Sequence, residues 1–232
     1  LINNKDGKLS IVSDANINKL NINSHKFLKS LFPLNTKKIY IKDHKVNIEY
    51  KNNYLSFKGL GKIKLEKNFE KIDYSFLKNE NKYNFDTKLY LDKTLLKIDH
   101  LNYKKNLEFK TQLEISGNYE KNIGLNFNKI EIASKDNKIL LKNLLLNKDN
   151  KVLKVDKVDL DYFDTDDKKN KLTIKRIKEN NYKISGPILN ANILISDLLK
   201  NIDDKKSEFF ENNIIFNVNF NEVYIDDQNM VK

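Results

Sequence analysis

The chain contains no cysteine and no tryptophan. Without cysteine there are no disulfides, thiolate nucleophiles or Cys-based zinc sites. Proline occurs only twice, as Pro33 and Pro187, so little interrupts strand ladders. Six glycines are few for a small barrel cornered by glycine bends. Arginine is nearly missing: Arg176 is alone among 43 basic residues. Arginine is the residue of bidentate phosphate and base recognition. The net charge of +11 therefore does not read as a nucleic-acid surface, and no nucleic-acid partner is expected. Lys, Asn and Ile belong to AT-rich codons, so base composition alone can generate the lysine excess. Apolar runs stop at about three residues, as in Leu144-Leu145-Leu146, far short of the roughly 20 needed for a membrane helix. The start, Leu1-Ile2-Asn3-Asn4, has no secretory pattern and no initiating Met, so a segment of a longer protein is expected.

What is present is period-two alternation, the pattern of half-buried strands. Leu107, Phe109, Leu113 and Ile115 alternate with Glu108, Lys110, Gln112 and Glu114. Tyr83, Phe85, Leu89 and Leu91 repeat the pattern, as do Ile123, Leu125 and Phe127. Leu153 and Val155 are followed by a one-residue slip at Lys157 to Val158, Leu160 and Tyr162, which reads as a bulge. Leu172 and Ile174 follow, and Phe216, Val218 and Phe220 alternate with asparagines. Polar punctuators such as Asn52-Asn53, Lys148-Asp149-Asn150 and Asn180-Asn181 separate the runs. Two short helices are expected, near 24–32 (stopped by Pro33) and near 190–202. No Gly/Ser/Pro-rich boundary divides the chain, so residues 1–232 read as one β-rich segment. Roughly a dozen one-sided strands make a sheet too large to stay flat and uncovered. The expected fold is mainly β: a long antiparallel meander curled into a groove with one apolar face, plus about two short helices. A β-sandwich with a dry core is the alternative.

Signals for catalysis are weak, and no enzyme, cofactor or metal is expected. His25, His44 and His100 show no ligand spacing and read as surface or structural. Gly59-Leu60-Gly61-Lys62 reads as a turn or bulge, not a phosphate loop. Asp159, Asp161, Asp164, Asp166 and Asp167 could hold calcium by composition. They fit a solvated strand edge and turn better, because no EF-hand glycine or closing Glu follows. The basic side chains concentrate in residues 1–116, with 23 basic and 13 acidic, against 20 and 19 in residues 117–232. That reads first as a solvated lysine face, with anionic headgroups or another polyanion as the functional alternative.

The stretch Ile184-Ser185-Gly186-Pro187-Ile188-Leu189-Asn190-Ala191-Asn192-Ile193-Leu194-Ile195-Ser196-Asp197-Leu198-Leu199 resembles a segment of the AsmA-like superfamily, the YhdP/TamB type. There a strand ending in Gly is followed by an Asp-Ala pair opening a short helix. Asn190 stands where Asp is usual, a tolerable cap exchange. Phe216 to Ile225, and Phe27 to Pro33 with its aromatic-Pro ending, are similar to further family segments. The resemblance implies part of a periplasmic, inner-membrane-anchored envelope protein that moves phospholipid along a β-groove. The membrane contact would lie in parts of the protein outside this chain. The expected lipid-binding residues are the alternating sets: Tyr83, Phe85, Leu89, Leu91, Leu107, Phe109, Leu113, Ile115, Ile123, Leu125, Phe127, Leu153, Val155, Leu160, Tyr162, Leu172, Ile174, Phe216, Val218 and Phe220. The rival expectations are a structural or adhesive β-protein and a basic polyanion-binding domain.

Overall fold

Short polar turns reverse the chain between neighbouring strands. At Asn52-Asn53 both residues adopt positive φ (47° and 69°), the twist that closes a two-residue hairpin. The computed structural model describes residues 2–5, 8–24, 26–35, 37–192, 213–226 and 229–231. Its first strands are β1 (Ile2–Lys5), β2 (Lys8–Asn23), β3 (Lys38–Lys51), β4 (Tyr54–Lys64), β5 (Phe69–Asn79) and β6 (Lys82–Leu91). A small hairpin follows, β7 (Lys97–Ile98) and β8 (Tyr103–Lys104), flanking a 3-10 turn at Asp99–Leu101. Then come β9 (Thr111–Glu120), β10 (Gly124–Ala133), β11 (Lys138–Leu146), β12 (Val152–Phe163), β13 (Lys169–Lys178), β14 (Asn181–Asn190), β15 (Ile215–Tyr224) and β16 (Met230–Val231).

All except β7 and β8 join one 14-stranded sheet in chain order. The sheet is open, with β1 and β16 at its edges, and every substantial strand contact is between ladder neighbours. It is therefore neither a sandwich nor a closed barrel. Pairing is antiparallel except at β14–β15, which run parallel, with Asn181 opposite Ile215 and Asn190 opposite Tyr224. The expected all-antiparallel meander is corrected there. Residues 191–214 replace the tight turn that antiparallel pairing would need.

Among the described residues there is one α-helix, α1 (Lys26–Leu31), ending at buried Phe32 and Pro33 as the sequence indicates. Two were expected. Asn190, the expected start of the second, is the last residue of β14, and residues 193–202 lie outside the described residues. Gly59 and Gly61 lie within β4 and not in a turn, and the bulge alternative fits Gly61: the β3–β4 register shifts between Lys42 and Lys45, opposite it. The ring of Tyr74 lies over Gly59 and that of His44 over Gly61, where a Cβ would come within 2.4 and 2.1 Å of ring atoms. His44 itself is buried, bonded to the Lys62 carbonyl (3.0 Å) and the Tyr74 hydroxyl (3.2 Å). His25 lies outside the described residues.

Registers place the apolar residues in cross-strand rows on one face. The first row runs Ile72-Leu89-Leu113-Ile132-Ile139-Leu160-Leu172 across β5 to β13. The next runs Ile115-Ile130-Leu141-Val158-Ile174-Ile184-Val218. A third runs Phe57-Phe76-Phe85-Gly117-Phe127-Leu144-Val155. Between the second and third rows, β10, β11 and β12 each take one extra residue. Phe127 and Ile130, Leu141 and Leu144, and Val155 and Val158 thus share a face while standing three apart. Asn143, at this step, has φ 53°. It donates to Asp156 (3.0 Å), which also accepts from Arg176 (2.9 Å).

Candidate functional site

The apolar face has two halves with different fates. At one end it is covered by α1 and by residues 92–110. Phe32, Leu91, Leu96 and Tyr103 pack there with Leu89, Leu113, Ile132, Ile139, Leu160, Tyr162 and Leu172 in one buried cluster. Tyr103 meets Tyr162 edge-on at 5.8 Å, and the Tyr162 hydroxyl donates to the Leu101 carbonyl (2.8 Å). Burial pushes the Tyr103 phenol up to about 12.

Buried carboxylates fasten this cover. Glu66 accepts from the backbone N–H of Leu34 (2.8 Å) and of Leu95 (3.1 Å), joining the end of α1 to the covering segment. Glu70 accepts from Asp92 (3.0 Å) and Lys93 (2.8 Å). Lys105 is buried beneath, its Nζ donating to the Asp92 and Asn106 carbonyls, and desolvation lowers its pKa. On the far side Asn102 ties the cover to the β12–β13 turn through Thr165 and Asp166.

The other half has no cover among the described residues. An aromatic stripe crosses it: Phe57 to Phe76 at 6.2 Å, Phe76 to Tyr83 at 6.0 Å, Tyr83 to Tyr119 at 6.0 Å. Phe85 and Phe127 meet edge-on at 5.9 Å over Gly117, where a Cβ would stand 2.8 Å from the Phe85 ring. These rings are half-buried, except Tyr119, which is exposed. Beyond them lies a wholly apolar cleft of about 260 Å³, lined by Leu144, Val152, Val155, Tyr182, Ile214 and Phe216 among others. Phe216 is 47% exposed and stacks beside Tyr182 at 6.0 Å.

The expected lining residues therefore divide. Leu89, Leu91, Leu113, Leu160, Tyr162 and Leu172 are buried in the covered core, with Ile115, Ile174 and Phe220 packed against it. Tyr83, Phe85, Leu125, Phe127, Val155, Phe216 and Val218 lie on the uncovered half. Four are corrected. Leu107 and Phe109 precede β9 in a turn held by Asn106, whose Oδ1 accepts from the Glu108 N–H (2.8 Å). Ile123, 54% exposed, sits in the β9–β10 turn. Leu153 is skipped by the ladder between Lys154 and Val152. Missed were Phe57, Phe76 and Tyr119, and the cover residues Phe32, Leu96 and Tyr103. The glycines that follow Phe57 hide its alternation, and the cover has no periodicity at all.

The opposite face is charged. Glu114 bridges Lys129 and Lys88, and Glu131 bridges Lys129 and Lys138 (3.2 and 3.0 Å). Lys129, then Lys88, hold the Glu114 carboxyl down at about 2. A hollow of about 970 Å³ is on this face, where Lys45, Lys58, Lys71 and Lys88 interleave with Asp14, Asp73 and Asp86. That mixed lining favours no single ligand charge. The acidic group forms a turn hub: Asp164, buried, accepts from the Asp166 and Lys168 N–H groups and from the Asn170 and Asn190 amides. Among the described residues no cluster of His, Asp and Glu has metal-ligating geometry.

Comparison with protein-family models, curated proteins and solved structures finds no match.

Proposed function

We propose that this chain is a non-enzymatic segment of an envelope lipid-transport protein, and that the uncovered half of its apolar face is a groove for phospholipid acyl chains. One observation carries the reading: a continuous half-buried stripe from Phe57 through Phe76, Tyr83, Phe85 and Phe127 to the cleft at Tyr182, on the half of the sheet that has no cover among the described residues. A monomeric protein rarely leaves such a stripe without an occupant. Each methylene desolvated on it contributes about 0.8 kcal/mol, so ten suffice for roughly 8 kcal/mol before entropic costs. Headgroups stay in water at the open-end turns, and transport is passive. The resemblance to the AsmA-like superfamily supplies the rest of the proposal: a periplasmic location, an inner-membrane anchor elsewhere in a longer protein, and phospholipid as cargo.

The test is photocrosslinking. Benzoylphenylalanine at Phe85 or Phe127 should capture phospholipid in cells, and the same residue at Leu160 should not. Lipid adducts at no position would refute the reading. The packed core under α1 favours a second reading, a β-scaffold with a dry interior, which that negative result would support.

A further inference from the structure

We propose that the charged face of β10–β14 binds an unbranched polymer of phosphate groups along a ladder of five lysines. The registers build the ladder. Lys129 stands opposite Lys142, Lys142 opposite Lys157, Lys157 opposite Lys175, and Lys175 opposite Lys183. Each is the sequence neighbour of a residue in the apolar row Ile130-Leu141-Val158-Ile174-Ile184, so all five project from the other face. Like charges directly opposite each other destabilise a strand pair, and here every successive pair carries them. Two other rows alternate in sign: Lys138 faces Asp161, which faces Lys171, and Asp73 faces Lys88, which faces Glu114. Carboxylates of the chain answer only part of the ladder's charge. Lys129 meets Glu114 and Glu131, and Lys157 meets Asp159 (2.8 Å). Lys142, Lys175 and Lys183 are exposed, with no carboxylate at ion-pair distance among the described residues. A shorter row, Lys19-Lys42-Lys62-Lys71, is better neutralised. There Asp43 bridges Lys42 and Lys62 (3.8 and 3.7 Å), and Asp73 meets Lys71 (3.8 Å).

The ladder suits a line of anions, not a plane. Neighbouring strands stand about 4.8 Å apart, so the five lysines span roughly 19 Å. Adjacent strands rotate by about 20–25°, so the ladder turns by roughly 80–100° from Lys129 to Lys183. A flexible polymer follows that turn. A flat bilayer of anionic headgroups touches only part of it, and also meets Glu131 and Asp159 in the next row. The surroundings do not suit nucleic acid either. The ladder has no arginine for bidentate phosphate or base contacts. The next row, Glu131-Leu140-Asp159-Thr173-Ser185, offers no aromatic ring on which a base could stack. Lysine acts as a point charge, which suits phosphates that need no fixed orientation. The ladder and the aromatic stripe lie on opposite faces, so the inference does not rest on the lipid reading.

The test titrates the 232-residue chain into end-labelled inorganic polyphosphate and, separately, poly(glycerol phosphate), read by fluorescence anisotropy. At least one should bind, with a log–log salt slope of about 3.5 in magnitude, the value for five contacts to a flexible chain. The polymer bound more tightly names the source of the phosphates. Lys142→Gln combined with Lys175→Gln should lose at least about tenfold in affinity and about 1.4 of that slope, with an unchanged far-UV CD spectrum. Lys42→Gln combined with Lys62→Gln removes the same charge from the shorter row and should leave the affinity unchanged. Absence of binding at low salt by both polymers would overturn the proposal. Equal loss from the two double variants would overturn it too, by showing that net charge alone binds. So would equal affinity for phosphatidylglycerol vesicles that depends on Lys142 and Lys175, which would make the partner a membrane. Tighter binding of single-stranded DNA than of either polymer would overturn it in favour of nucleic acid.

Discussion

Two substitutions on the same face, one in each half, should behave oppositely. Leu113 is 8% exposed and flanked in its row by Leu89 and Ile132. Leu113→Asp forfeits about 2 kcal/mol of apolar transfer. It also leaves an uncompensated buried charge at roughly 3–5 kcal/mol. The total rivals the whole stability of a domain, about 5–15 kcal/mol. Phe127 is half-buried, and its main ring contact is the edge-on pair with Phe85 at 5.9 Å. A fully buried Phe loses about 3–5 kcal/mol on truncation, so Phe127→Asp should cost roughly half that, with its carboxylate reaching water. Urea unfolding followed by far-UV CD separates the cases. Leu113→Asp should have no folded baseline. Phe127→Asp should keep a cooperative transition at a lower midpoint while losing bound lipid. Equal collapse of both would show the stripe to be ordinary packed core and refute the two-half reasoning.

Three further outcomes are expected. Glu66→Ala orphans the Leu34 and Leu95 N–H groups and should cost roughly 3 kcal/mol, with hydrogen exchange rising first in residues 92–105. Glu114 has a folded pKa of about 2, below its ordinary 4.5, so its stabilisation is complete above pH 4.5 and drains away as pH falls towards 2. Urea midpoints for Glu114→Gln should lose that part of the acid slope. Gly117→Ala drives a methyl into the Phe85 ring and the Asn126 carbonyl, so its unfolding midpoint should drop by the equivalent of about 1–3 kcal/mol, with an altered near-UV CD of the aromatic stripe.

The strands were legible wherever one face is half-buried. Tyr83 to Leu91 and Phe216 to Phe220 alternate because each has apolar neighbours on one side and water on the other. The slip at Lys157 was legible too, and the registers show why: β10, β11 and β12 step together beside Asn143. Alternation says nothing about what covers a face. The division into halves depends on Leu96, Tyr103, Glu66 and Glu70, which come together from a non-periodic segment, the β4–β5 connection and the start of β5. Leu107 and Phe109 kept the period by coincidence, in a turn that Asn106 stabilises locally. The parallel β14–β15 pair was hidden because strand direction is set by the connection, not by the strand's own residues.

The central claim is that the uncovered half of the apolar face carries lipid. Its most direct measurement is native mass spectrometry of the chain purified without detergent, with extraction and identification of any bound lipid. The account predicts stoichiometric phospholipid on the wild-type chain and none on Phe127→Asp. A folded wild-type chain at its bare mass would contradict it.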